Sequence, residues 1–114
     1  MKIEKFEDVI AWQKAKVLTL LVYKIFKDNK DFSFKNQFER ATVSIMNNIA
    51  ECFERRSDKE LVNFLYIAKG SCGEVRSMSH LARELGYITE AEFAELLSLS
   101  SEISRILAGF IKSV

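Results

Sequence analysis

At 114 residues the chain has room for one domain with a modest core, expected over residues 1–114. Its 48% hydrophobic and 29% charged content excludes a disordered polymer, and no proline with only four glycines argues against a turn-rich β architecture. A net charge of +1 removes any compositional case for a general nucleic-acid binder.

The first helix is predicted over about residues 7–28, with Glu7 and Asp8 at the positive end of the macrodipole. At 100° per residue Ala11, Ala15, Leu18, Val22 and Phe26 form the core stripe, flanked by Trp12, Thr19 and Tyr23. Ile10, Val17 and Leu21 make a second stripe. The polar cluster KDNKD breaks the helix. The second helix is predicted over about 34–55, behind Ser33 as N-cap. Its core stripe is Phe34, Phe38, Ala41, Ile45, Ile49 and Cys52, with Phe53 at the margin. A polar stripe lies about 100° away: Gln37, Arg40, Ser44, Asn48, Glu51 and Arg55.

The third helix, about 58–85, opens on the capping-box sequence Ser57-Asp58-Lys59-Glu60 and stops at Gly86, a residue suited to C′. Leu61, Phe64, Leu65, Ala68, Cys72, Val75 and Ala82 form its core stripe. Gly70 and Gly73 sit inside it, and the apolar period holds register across them. One helix with a flat face of Gly70, Gly73 and Ser77 is therefore preferred to a break at GSCG. The fourth helix, about 90–112, opens on a second capping box, Thr89-Glu90-Ala91-Glu92. Phe93, Leu96, Leu97, Ile103, Leu107, Phe110, Ile111 and Val114 share its apolar face. Short loops make neighbours antiparallel, so the expected fold is all-α, an elongated up-down four-helix bundle.

Chemistry-bearing constellations are few. His80 is the lone histidine, and no Glu-x-x-His pair exists for a di-iron site, so no catalytic, cofactor or metal residue is assigned. GSCG follows no strand and precedes no Gly-Lys-Ser/Thr, so it is not a phosphate loop. Cys52 and Cys72 lie on apolar stripes and read as small buried hydrophobes. No run of 18 apolar residues could span a membrane, and the acids in MKIEKFEDVI stand where a secretory leader needs an apolar core. A cytoplasmic, non-enzymatic protein is expected. Val43 and Met46, off the main stripe of the second helix, and Tyr66 beside Gly70 and Gly73 are the candidate oligomer interface. The polar stripe of Gln37, Arg40, Ser44, Asn48 and Glu51 has two readings. One is an internal hydrogen-bonding network. The other is a contact surface in which Arg40, Arg55 and Arg56 hold phosphate.

Gln37-Phe38-Glu39-Arg40-Ala41, Ser44-Ile45, Asn48-Ile49-Ala50-Glu51 and Arg56 together resemble the central motif of the four-helix bundle proteins related to the 23S ribosomal RNA intervening-sequence proteins. Phe6, Trp12, Gln13 and Ala15 resemble that family's first helix, and Phe64, Ala68, Gly70-Ser71 and Glu74 its third. The resemblance runs from about residue 6 to 86. It implies a bacterial cytoplasmic protein without enzymatic activity or cofactor, assembled as a ring-like homopentamer. The molecular role of the typical member is not established. A related branch serves retroelement reverse transcriptases and binds nucleic acid through a basic surface. The partners implied are therefore further copies of the chain and, beyond them, RNA, single-stranded DNA or a nucleic-acid enzyme. Cys52 stands where the family usually has glycine, the usual proline before the second helix is absent, and +1 departs from the basic character of the retroelement branch.

Overall fold

The protein is described by a computed structural model over residues 5–55 and 57–114. The described residues form four α-helices and no strand: α1 Ile10–Ile25, α2 Phe32–Cys52, α3 Asp58–Glu84 and α4 Glu90–Ser113. Packing runs around a square, α1 on α2, α2 on α3, α3 on α4 and α4 back on α1, and the whole measures 43 × 22 × 20 Å.

The first helix starts later than its acids suggest. Phe6–Asp8 is a separate 3-10 turn, and Val9 then adopts extended backbone, φ −79 and ψ 122, before α1 begins. A helix continued through Val9 would place it about 160° around the axis from Ala11, facing solvent. The break instead puts Val9 in the core at 3% exposure. The turn is held by Phe6 edge-on to Trp12, with ring centroids 5.1 Å apart, and by Gln13 Nε2 donating to the Glu7 carbonyl at 2.8 Å. At the other end α1 stops at Ile25, short of Asp28.

The N-cap of α2 is Asp31, two residues before Ser33. Its Oδ1 accepts from the Phe34 amide at 3.2 Å, and its own amide donates to Asn29 Oδ1 at 2.8 Å. Asp31 outcompetes Ser33 because it places a full negative charge at the helix start and also has a tertiary donor: the Tyr87 hydroxyl donates a hydrogen bond to Asp31 Oδ2 at 2.7 Å. The helix ends at Cys52, so Phe53 to Arg55 lie beyond it.

Gly70 and Gly73 do not interrupt α3. Its capping box is half formed. Ser57 Oγ accepts from the Glu60 amide at 3.2 Å, but the Glu60 carboxylate takes the Ser57 hydroxyl at 3.5 Å instead of the Ser57 amide. The helix closes on a Schellman motif: Gly86 at φ 74 donates to the Arg83 carbonyl, and Tyr87 donates to that of Ala82. In α4 the Thr89–Glu92 box is complete, with both reciprocal bonds at 3.0 Å or less.

The core is the meeting of the predicted stripes. Ala11, Ala15, Leu18, Val22 and Phe26 face Phe38, Ile45, Ile49, Leu65, Cys72, Val75, Leu96, Ile103 and Leu107, all buried. Phe26, Phe34 and Phe38 pack with centroids 5.1–5.9 Å apart. Buried hydroxyls interrupt the grease. Thr19, Ser79 and Ser100 each donate to the carbonyl four residues back, at 2.7–2.8 Å, which removes the penalty of burying them.

Candidate functional site

The polar stripe of α2 is a seam against α3. Ser44 Oγ and Ser71 Oγ share a hydrogen bond of 2.9 Å, and Asn48 Nδ2 donates to both the carbonyl and the hydroxyl of Ser44, at 2.8 and 3.1 Å. Gln37 Nε2 donates to Glu74 Oε2 at 3.4 Å. Glu51 pairs with Arg55 one turn on, and the Arg55 guanidinium lies over the Phe64 ring, 4.4 Å from its centroid. Ser44 with Ser71, Gln37 with Glu74 and Arg55 with Phe64 cross to α3, while Asn48–Ser44 and Glu51–Arg55 brace the α2 side of the seam. Ser71 and Glu74 supply half of the seam. Sequence spacing along α2 shows its polar face but cannot name the residues opposite, because that depends on how α3 is offset against it.

Arg40 and Arg55 stand in different surroundings. Arg55 is engaged by Glu51 and Phe64. Arg40 is exposed and makes no ion pair among the described residues. It stands between two surface clefts. One, of about 420 Å³, lies between α1 and α2 and is lined by Tyr23, Glu39, Val43 and Asn47. The other, of about 570 Å³, lies over the α2–α3 seam at Ser33, Gln37, Ser44 and Glu74. Arg56 falls outside the described residues.

The five candidate interface residues fall in different places. Tyr66, 57% exposed, and the exposed Gly70 lie on the outer side of α3, with Gly73 half-buried beside them. Val43 is half-buried in the α1–α2 cleft, and Met46 packs against the core margin. Ile10, Val17, Leu20, Phe32, Ile67 and Leu81 add exposed apolar surface. A methyl group at Gly70 or Gly73 would meet nothing within 4 Å, so the fold itself does not require glycine at either position.

Glu39 is a residue that spacing did not single out. It is 9% exposed, and its Oε2 is buried without a hydrogen-bond partner among the described residues. Its position beside the apolar margin of α2, facing α1, could have marked it.

The cysteines are free and buried. Burial pushes the Cys52 thiol up to about 11 and the Cys72 thiol up to about 12, the latter slightly opposed by Arg76 and Lys69, so neither is a ready nucleophile. His80 is exposed, edge-on to Phe93. Among the described residues no group of three or more His, Cys, Asp or Glu is placed to hold a metal ion, and no helix is long and apolar enough to cross a membrane.

The family model for the 23S rRNA-intervening sequence protein matches residues 7–109. Among solved structures, a protein with unknown function from the S23 ribosomal protein family of Bacteroides thetaiotaomicron is similar to this chain, with 26% identity and a TM-score of 0.84, over 90% of this chain and 99% of that one. No curated protein matches the chain.

Proposed function

Because the chain belongs to the 23S rRNA-intervening sequence protein family, we propose that it is a non-enzymatic, self-associating scaffold that docks on RNA or a nucleoprotein. Each copy is an up-and-down bundle, and copies join into a ring, a pentamer by family resemblance. The up-and-down course is supported by the order of partners across the seam: Gln37 meets Glu74, Ser44 meets Ser71 and Arg55 meets Phe64, so α3 runs backwards along α2.

One observation carries the scaffold reading. Ser44 and Asn48, at the middle of the motif, are half-buried and bonded to each other and to Ser71, while large apolar side chains are left outside on α1 and α3. A surface built to bind a polar ligand would do the reverse. So much exposed apolar surface along two helices of a small protein favours a protein contact. Light scattering after gel filtration tests it: the expected mass is a multiple of 13.1 kDa. A particle that stays single-copy at high concentration would sink the proposal.

Arg40 favours a second reading, direct contact with nucleic acid, because it is exposed and unpaired among the described residues. One phosphate contact per copy changes log K by only about 0.7–0.9 per decade of salt, so the binding would be weak unless a ring adds the copies together. Gel shifts with structured RNA and single-stranded DNA at low salt should then be lost in Arg40→Glu. No shift for the unmodified protein at low salt ends this reading.

A further inference from the structure

The carboxylate of Glu39, a residue 9% exposed, is in no ion pair among the described residues. Its Oε2 is sealed from solvent and unpartnered among the described residues, while its backbone carbonyl is taken by Thr42 Oγ1 at 2.8 Å. Buried charges in folded proteins are paired, since a lone one is costly to remove from water. Glu39 lines the α1–α2 cleft, whose rim carries Tyr23 and Val43. The rim suits a protein surface, and the carboxylate repels phosphate. A metal ion would need further ligands, and the described residues hold no such group.

Resting on the scaffold reading, we propose that this cleft is the socket for a second copy, and that Glu39 receives a cationic side chain from the outer side of that copy's α3. Three features of α3 fit. Gly70 and Gly73 leave open space where a methyl would stand, so another backbone can come close. Lys69 and Arg76 stand one turn either side of Gly73, on the same side of the helix, and neither is in an ion pair among the described residues. The cleft is on α1 and α2 and the inserted face on α3, so the contact is heterologous, the kind that closes into a ring.

Light scattering and sedimentation over a concentration series test this with Glu39→Gln, with the double variant Lys69→Gln/Arg76→Gln, and with all three changes together. Circular dichroism checks that each keeps its helical content. Glu39→Gln and the double variant should each weaken assembly at least tenfold, and the triple variant should be no weaker than the worse of the two, because the partners of one contact are not additive. A Glu39→Gln protein that assembles as tightly as the unmodified chain overturns the proposal. So do losses that simply multiply. Unchanged assembly with a lost preference for guanine-containing RNA would reassign Glu39 to a base edge. A single-copy unmodified protein is a different failure, that of the scaffold reading, and is read before any variant is made.

Discussion

Asp31 shows how much one side chain can do at a helix end. Its two carboxylate oxygens split between the Phe34 amide and the Tyr87 hydroxyl, so one residue caps α2 and ties the α3–α4 connection to it. The hydrogen bond to Asp31, then burial, then the Asp31 charge raise the Tyr87 hydroxyl above its ordinary value of 10.0. Folding therefore holds this proton more tightly than the unfolded chain does. The associated stability is fully present below the unfolded tyrosine value and is lost as pH rises through the folded one. Chemical denaturation of Tyr87→Phe beside the unmodified protein should show a stability gap at neutral pH that narrows above about pH 10. A gap independent of pH would mean that the hydroxyl is not held by Asp31. Glu39 and Asp31 make a contrast: both are acids on α2 or at its start, and among the described residues Asp31 finds side-chain donors while Glu39 Oε2 finds none.

Among the elements, α3 departs most from what its own helix would choose. Each of Gly70 and Gly73 costs about 1 kcal/mol against alanine, and no neighbour among the described residues requires either. Gly70→Ala and Gly73→Ala should therefore each raise the stability of the isolated bundle by about 0.5–1 kcal/mol in denaturant melts at low protein concentration. At high concentration the same variants should assemble less well. Stabilisation without any loss of assembly would leave the glycines unexplained. Gly86 differs in kind, since its φ of 74 is one that a side chain resists. The start of α1 carries a related lesson. Glu7 and Asp8 are good first-turn residues, but the burial of Val9 outweighs them and separates their turn from the helix.

For the whole molecule, surface left over after folding is the central fact. Four stripes fill one core, yet Ile10, Val17, Leu20, Tyr66, Ile67 and Leu81 remain exposed. If these close against further copies, the melting temperature should rise with protein concentration, as it does whenever the folded state alone associates. Much of this architecture was legible in the amino-acid order alone. The four helices, the stripes meeting in the core, the continuity of α3 through its glycines and the Gly86 stop all follow from periodicity and capping, which act within a few residues. The internal bonding of Asn48 to Ser44 and of Glu51 to Arg55 was legible for the same reason, because an i, i+4 pair needs no knowledge of the fold. The break at Val9, the choice of Asp31 over Ser33, the partnership of Ser44 with Ser71 and the stranding of Glu39 were decided only in three dimensions. Each depends on which residue of a distant helix arrives opposite, and that offset is set by how whole faces interlock when they leave water.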